Sequence, residues 1–151
     1  MIFFLDTSAL VKRYLNEPGS AYIRRLFLIP DSVFYQTFLT PIEITSAFYR
    51  RQRTGDLTIE ELSLVLQAYA SNAQEEYLLV PYSETLLTTA GALIARHPLR
   101  ALDALQLAAA LKVREDLPEH AGALMFVCAD DRLVAAARHE HLRAVNPETI
   151  S

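Results

Sequence analysis

Four acidic residues of this sequence are placed where their side chains could meet and hold a cation. Asp6 and Asp130 each come at the end of a short apolar run, and Glu43 stands near the start of a segment with helical spacing. Asp103 lies inside the most apolar stretch of the chain. Carboxylates that lie close together repel one another unless positive charge neutralises them. Because all-oxygen ligand sets select hard cations over zinc, the four acids raise the hypothesis of a Mg²⁺ or Mn²⁺ site.

Three of these acids also have an ordinary structural interpretation as helix caps. A carboxylate near a helix N-terminus accepts backbone N–H bonds and interacts favourably with the helix dipole. Glu43 in addition completes the pattern Thr40-x-x-Glu43, which fits a capping box. Taken singly, Asp6, Glu43 and Asp130 are therefore best interpreted as caps, and only their combination favours a metal site.

Asp103 is harder to explain in this way. The segment from Arg100 to Arg114 is apolar nearly all round, which is typical of a buried helix, and Asp103 lies one turn into it. A buried carboxylate without a partner is strongly unfavourable, so it requires a cation, a hydrogen-bond cluster or a raised pKa. Arg100, three residues earlier, is the ordinary ion-pair partner, and a metal ion is the alternative.

The elements that position these acids follow from apolar runs that alternate with helical segments. The predicted strands cover residues 2–5, 33–37, 77–80, 123–127 and 142–145. Ser20 and Thr40 are predicted to cap the second and third helices. Short unbroken apolar runs alternating with helices predict a parallel sheet covered by helices on both faces. Since parallel strands deliver their carboxyl ends to one edge, where ligands bind in open α/β sheets, the four acids are expected to converge there.

The composition of the chain indicates which broad class of protein it belongs to, but not which activity it has. At 151 residues, 52% hydrophobic and 21% charged, the chain is expected to form one globular domain over residues 1–151. It has no apolar run of membrane-spanning length, no recognisable signal peptide and a single cysteine, so a cytoplasmic protein without membrane attachment is expected. The net charge of −4 argues only weakly against nucleic-acid binding, because setting aside four acids as metal ligands leaves 14 acidic against 14 basic residues.

Several other classes of site are excluded by motifs that the chain lacks. It has four glycines and no G-x-G-x-x-G, P-loop or G-x-S-x-G pattern, which excludes the common dinucleotide, nucleotide and serine-hydrolase sites. Aspartyl-nucleophile phosphatases also begin with a strand that ends in Asp, but they require a second acid where this chain has Ser8. Receiver domains require an acidic pair after the first strand, which is missing as well.

Four blocks of the sequence resemble the PIN-domain ribonucleases, and among them the VapC-type toxins of toxin–antitoxin pairs. The blocks are Leu5-Asp6-Thr7-Ser8-Ala9-Leu10-Val11-Lys12, Glu43 after Thr40-Pro41, Leu102-Asp103-Ala104-Leu105-Gln106-Leu107-Ala108, and Ala129-Asp130-Asp131-Arg132-Leu133. They occur in the family's order, with similar spacing, over nearly the whole chain. The resemblance implies an α/β fold, namely a three-layer α/β/α PIN-like domain with a five-stranded parallel sheet.

The resemblance also implies the site residues. The catalytic acids and ligands of Mg²⁺ or Mn²⁺ would be Asp6, Glu43, Asp103 and Asp130, with Asp6 and Asp103 as the principal ligands. Asp131 is the alternative to Asp130 as the acid that faces the metal; we prefer Asp130 because it is nearer the strand end. Two positions before the last acid the family often has a hydroxyl residue, and this chain has Cys128. The hydrogen bond with which that hydroxyl would support the site is therefore not assured here.

Substrate contacts are expected from residues near these acids. Thr7 either positions a water or a phosphate through its hydroxyl or helps to cap its helix. Arg50 follows Glu43 by seven residues, on the same helical stripe and about 10 Å along it. Lys12 and Arg100 lie close in sequence to predicted ligands and, like Arg50, are expected to contact phosphates without reading bases.

The activity implied is that of a metal-dependent endoribonuclease, the toxin of a VapBC-type pair, which hydrolyses RNA phosphodiester bonds with water activated by Mg²⁺ or Mn²⁺. A cognate VapB-like antitoxin is the implied partner, and a homodimer is a further possibility. Candidate surfaces for the antitoxin lie around Tyr22, Leu26 and Phe48–Tyr49, although core packing explains these apolar residues equally well. The alternative is a catalytically silent PIN-fold module that only binds a protein.

Overall fold

Five parallel strands form one sheet at the centre of the molecule, seen in a computed structural model that describes residues 1–150. The strands are β1 (Ile2–Leu5), β2 (Val33–Thr37), β3 (Tyr77–Val80), β4 (Leu124–Val127) and β5 (Arg143–Val145). Their order across the sheet is β3-β2-β1-β4-β5, and every neighbouring pair is parallel. The predicted five-stranded parallel sheet is confirmed, with β4 and β5 each beginning one residue later than the sequence indicates.

Helices cover both faces of this sheet. They are α1 (Thr7–Tyr14), α2 (Ser20–Leu26), α3 (Thr40–Arg53), α4 (Ile59–Glu75), α5 (Glu84–Arg96), α6 (Ala101–Asp116) and α7 (Asp131–His139), and a 3₁₀ turn follows at Pro147–Thr149. On β1, Ile2 and Phe4 pack with α5, α6 and α7, whereas Phe3 and Leu5 pack with α1 to α4. The three-layer α/β/α architecture is thus confirmed. No helix in the described part of the chain is long and apolar enough to cross a membrane.

The central strand β1 is also the point at which the chain changes direction across the sheet. From β1 the chain builds β2 and β3 on one side, and it then returns to add β4 and β5 on the other. Leu5 is in register with Val127, and the N–H of Asp6 donates to the carbonyl of Val127 at 3.0 Å. A change of direction of this kind opens a crevice at the carboxyl ends of the two strands, and such crevices bind ligands in α/β folds.

The start of α2 differs from the prediction. Ser20 is not its cap but its first residue, and Gly19 occupies the cap position without a side chain to offer. The Ser20 hydroxyl instead accepts the N–H of Glu17 at 3.0 Å and donates to the carbonyl of Leu15 at 2.8 Å. The serine therefore closes the turn between α1 and α2, because the hydroxyl points back toward the preceding segment.

Gly19 is required by the packing of the 3₁₀ turn against this corner. Its φ of +83° lies in the left-handed region, and a Cβ at this position would lie 2.9 Å from the carbonyl carbon of Pro147. Gly55 has the same φ of +83°, but a Cβ there would meet no atom within 4 Å. The two glycines thus share the same backbone conformation and differ in the space around them.

We expect Gly19→Ala to destabilise the protein more than Gly55→Ala does. Both substitutions force alanine into a left-handed conformation at a cost of about 1 kcal/mol, and only the first adds a steric clash worth about 1–3 kcal/mol more. Urea unfolding of both variants beside the wild type measures the difference. Equal losses would show that the 3₁₀ turn moves away without cost, which would contradict the close packing described here.

Candidate active site

Four elements bring the predicted acids to the carboxyl edge of the sheet. Asp6 is the N-cap of α1, directly after β1, and Asp130 is the N-cap of α7, after β4. Glu43 and Asp103 lie in the first turns of α3 and α6. The charges of Glu43 and Asp103 both raise the pKa of Asp6, and the charge of Asp130 raises that of Asp103. The four carboxylates therefore form one electrostatic cluster, as the parallel topology indicates.

Asp6 is the most buried member of the cluster, with 7% of its surface exposed. Its Oδ2 accepts the backbone N–H of Ser8 at 2.9 Å and also the Ser8 hydroxyl. Burial raises the pKa of Asp6 to about 6; the Ser8 hydrogen bonds oppose this shift, and the charges of Glu43 and Asp103 add to it. Within residues 1–150 no basic side chain forms a salt bridge with Asp6, so its charge near neutral pH is uncompensated.

Glu43 is not part of a capping box, and this prediction is wrong. The helix α3 begins at Thr40 itself, Leu39 is its N-cap residue, and no side chain caps it. The carboxylate of Glu43 points across the edge of the sheet, where Oε2 accepts the Thr7 hydroxyl at 2.9 Å and Nε2 of Gln106 at 2.7 Å. Tertiary hydrogen bonds have thus replaced the local bond that the Thr40-x-x-Glu43 pattern indicates.

Gln106 is a site residue that sequence reasoning missed. It is fully buried in α6, three residues after Asp103 and hence on the same face of the helix. The available signal was one amide side chain within a run of alanine and leucine. Buried polar groups are normally hydrogen-bonded, so this residue indicated a polar partner without indicating which one.

Asp103 is half-buried, which corrects the prediction that it lies in a buried segment. The middle of α6 is buried as expected, but its first turn projects from the edge of the sheet, and Leu102 is 48% exposed. No salt bridge joins Asp103 to Arg100 in the described part of the chain, so the ordinary partner is not used. Partial burial, followed by the charge of Asp130, raises the pKa of Asp103, while Arg100 and Arg132 oppose this shift.

Asp130 and Asp131 face different partners. Oδ1 of Asp130 accepts the backbone N–H groups of Arg132 and Leu133 at 2.8 and 3.3 Å. Oδ1 of Asp131 accepts Nδ2 of Asn146 at 2.7 Å. These bonds confirm that Asp130 is a helix cap, as Asp6 is, and they direct Asp131 toward the segment after β5. Because Asp130 is the one that acts on the pKa of Asp103, it remains our choice for the cluster.

Cys128 occupies the place of the hydroxyl residue that the resemblance led us to expect. Its Sγ accepts the N–H of Asp130 at 3.3 Å and lies 3.6 Å from both Oδ2 of Asp6 and Oγ of Ser8. Burial, with the charge of Asp6, raises the pKa of this thiol well above its usual range, so it stays protonated. The thiol therefore supports the ends of β1 and β4 in the manner of a hydroxyl, over longer distances.

A cavity of about 810 Å³ opens beside the acids and contains three of the four predicted substrate contacts. Thr7, Lys12 and Arg50 line it together with Glu43. Arg50 is exposed and forms no salt bridge within residues 1–150, so its guanidinium is available. Arg100 is exposed at the N-cap of α6 and is not part of the lining.

Lys12 lines the cavity, but its charge is already paired with carboxylates of the protein. Its side chain is only 4% exposed, and Nζ forms salt bridges of 3.1 Å with Glu17 and 2.6 Å with Glu148. Glu17 is bound in turn by Arg51. Two carboxylates therefore neutralise the ammonium, and Lys12 ties α1 to the 3₁₀ turn in the present arrangement.

The donor set at this edge suits a hard divalent cation, although its members are turned toward other partners. All four acids offer carboxylate oxygens, and among residues 1–150 the one cation within 4 Å of any of them is Arg132, 3.7 Å from Asp130. No three ligand side chains in the described structure converge closely enough to hold a metal ion. Asp6, Glu43 and Asp130 each accept hydrogen bonds from neighbouring residues instead. The residues thus fit Mg²⁺ or Mn²⁺ in type and charge.

Three solved structures illustrate how widely this fold is shared. A chain of FitAcB from Neisseria gonorrhoeae superposes with a TM-score of 0.70 at 15% identity, covering 99% of this chain and 100% of that one. A chain of VapBC2 from Rickettsia felis, bound to a DNA fragment from the promoter, gives 0.66 at 15% identity, with 97% and 98% covered. A toxin–antitoxin complex from Klebsiella pneumoniae gives 0.62 at 16% identity, also with 97% and 98% covered. At these identities the likeness establishes the fold.

Sequence comparison gives the family. No curated protein matches the chain. Residues 3–139, however, match the family described as the PIN domain, and this range includes all four acids, β1 from its second residue, and β2 to β4. The match extends over far more than half of the chain and agrees with the resemblance carried by the four sequence blocks. The protein belongs to the PIN domain family.

Proposed function

We propose that this protein is a metal-dependent endoribonuclease and the toxin of a VapBC-type toxin–antitoxin pair. The observation that carries the proposal is the cluster of four carboxylates at the point where the sheet changes direction, whose buried member Asp6 forms no salt bridge with any residue from 1 to 150. Membership of the PIN domain family supports nuclease activity. The choice of RNA, and the dependence on Mg²⁺ or Mn²⁺, rest on the four sequence blocks and on the chemistry of the acids.

Each residue of the cluster has a role in this proposal. Asp6 and Asp103 would be the principal ligands of the cation, and Glu43 and Asp130 would bind it directly or through water. A divalent cation at this site supplies two effects, a lowered pKa of a coordinated water and neutralisation of phosphate charge. Asp6 is held by Ser8 and Glu43 by Thr7, so the chain itself fixes the direction of both carboxylates. Arg50 would hold a phosphate in the adjoining cavity.

The partner we propose is a VapB-like antitoxin that covers the cavity. The structural neighbours include VapBC2 and a toxin–antitoxin complex, which supports a partner of this kind. Of the surfaces considered from sequence, Leu26 and Phe48 are excluded as contacts because both are buried in the core. Exposed apolar side chains do border the site: Ile42 and Leu102 line the cavity and are 66% and 48% exposed.

A second candidate function is a silent PIN-fold module that binds a protein and no metal. The observation that favours it is the dispersed arrangement of the acids, which do not converge on one point in the described part of the molecule. The two candidates differ in one measurable respect. A nuclease must bind Mg²⁺ or Mn²⁺ through Asp6 and Asp103, whereas the module would be indifferent to both cations.

The first experiment compares wild type with Asp6→Asn on single-stranded and structured RNA in Mg²⁺, Mn²⁺ or EDTA, using protein freed of any antitoxin. We expect the wild type to cleave RNA only with a divalent cation, and we expect the substitution to lower the rate at least about 100-fold, because the variant loses a principal ligand. Circular dichroism controls for folding. Mn²⁺ titration of both proteins follows; a folded wild type that binds no Mn²⁺ would refute the nuclease and leave the binding module.

A second expectation concerns Arg50. Replacing it with alanine removes a free cation from the cavity, so we expect weaker RNA binding and a salt dependence reduced by about 0.7 in the slope of log affinity against log salt. The matched control is Arg25→Ala, an exposed arginine on α2 that does not line the cavity. Fluorescence anisotropy with labelled RNA in EDTA measures both. Equal effects of the two substitutions would show that Arg50 has no special role.

A third expectation follows from the raised pKa of Asp6, which is about 6 in the folded protein against 3.8 ordinarily. Because folding raises the pKa of Asp6, the full stability of the folded state is present below pH 3.8, where the carboxyl is protonated in both states. Part of that stability is lost as the pH rises through 6 and Asp6 ionises in the folded protein. Asp6→Asn should therefore gain stability relative to wild type between pH 4 and pH 7, by up to about 3 kcal/mol. Mn²⁺ at pH 7 should stabilise the wild type and leave the variant unchanged.

The control for this expectation is Glu119→Gln, an exposed acid beside the starts of β4 and β5, at the opposite edge of the sheet. Urea unfolding across the pH range measures all three proteins. If the free energies of unfolding of Asp6→Asn and the wild type differ by the same amount at every pH, the pKa of Asp6 is not raised in the folded protein.

A further inference from the structure

Gln106 joins three helices at the acidic edge and has no role in the function proposed above. We propose that Gln106 is a positioning residue that holds one oxygen of Glu43, so that the other oxygen is presented to a divalent cation. This inference rests on the proposed function, because it assigns a role within the same site. It is carried by the hydrogen bonds of Gln106, by its burial and by one unpartnered atom.

The hydrogen bonds form a closed triangle between α1, α3 and α6. Nε2 of Gln106 donates to Oε2 of Glu43 at 2.7 Å and to Oγ1 of Thr7 at 3.2 Å. The Thr7 hydroxyl donates to the same Oε2 at 2.9 Å. Oε2 of Glu43 thus receives two hydrogen bonds, whereas Oε1 receives none from residues 1–150. An asymmetric arrangement of this kind leaves Oε1 as the ligand atom.

The orientation of the Gln106 amide follows from charge. A flipped amide would place Oε1 of Gln106 against the Glu43 carboxylate, and two acceptors would then face each other. With Nε2 toward Glu43, Oε1 of Gln106 is buried and has no hydrogen-bond partner among the described residues. Buried polar atoms without a partner are uncommon and call for an explanation. Here the orientation that forms the two N–H bonds to Glu43 and Thr7 leaves the carbonyl without a partner among residues 1–150.

The competing explanation is that Gln106 only links helices and so stabilises the fold. If its role were only to hold α1, α3 and α6 together, any side chain that packed equally well at this position would serve. Positioning requires an N–H donor at the Nε2 position. Gln106→Met keeps the length of the side chain and removes the donor, whereas Gln106→His keeps a ring N–H at nearly the same reach from the backbone.

The experiment measures Mn²⁺ binding by electron paramagnetic resonance, together with kcat and KM for RNA, in wild type, Gln106→Met and Gln106→His. We expect the methionine variant to bind Mn²⁺ about 10–100-fold more weakly and to lose kcat with little change in KM, as is usual when a hydrogen bond to a metal ligand is removed. We expect the histidine variant to recover most of both losses. Normal Mn²⁺ binding by a folded methionine variant, or no recovery with histidine, would overturn the positioning role.

A measurement on the intact wild type keeps the proposal testable if the methionine variant does not fold. The side-chain NH₂ group of Gln106 should be protected from hydrogen exchange, and Glu43→Gln should shift its ¹⁵N and proton signals. Free exchange of that group in the wild type would overturn the positioning role. A wild type that neither binds Mn²⁺ nor cleaves RNA would instead refute the proposed function itself, so the two failures are distinguishable.

Discussion

A buried negative charge that no side chain in residues 1–150 neutralises is the constraint on which the rest of this structure depends. Asp6 stands at the end of the central strand, where α/β packing leaves little water to stabilise it. The side chains that donate hydrogen bonds to Asp6 or to its neighbour Glu43 are neutral, namely Ser8, Cys128, Thr7 and Gln106. Neutral donors orient carboxylates without removing their charge. The fold thus keeps negative potential at this edge, and a cation from solution is the simplest way to relieve it.

The framework of the fold could be predicted from sequence because it depends on properties that short segments carry by themselves. The apolar run that forms β1 is buried on both faces, and β2 and β4 are buried on one face and partly buried on the other. Strands of this kind suit a parallel sheet with helices on each side. Parallel strands share one carboxyl edge, so Asp6 and Asp130 had to arrive there together. The order of the strands was not available from such patterns and came only from the structure.

The errors at Glu43 and Lys12 have a common physical cause, which is competition between a local bond and a distant one. The pattern at Thr40 and Glu43 satisfies the rule for a capping box, yet Glu43 bonds to Thr7 and Gln106, which are 36 and 63 residues away. Lys12 similarly pairs with Glu148, which is 136 residues away. Nothing in the sequence around these residues indicates such partners. Local patterns state which bonds a side chain is able to form, and tertiary packing decides which of them it does form.

The pairing of β1 with β4 has a consequence for how the protein is made. Ile2 is in register with Leu124, which comes far later in the chain, and Asp6 has no backbone partner on that side until Val127 has been synthesised. A nascent chain that stops before β4 therefore lacks one flank of its central strand and one of the four acids, Asp130. Contacts so distant in sequence form late and slowly during folding. The site is consequently complete only after β4 and Asp130 have been synthesised.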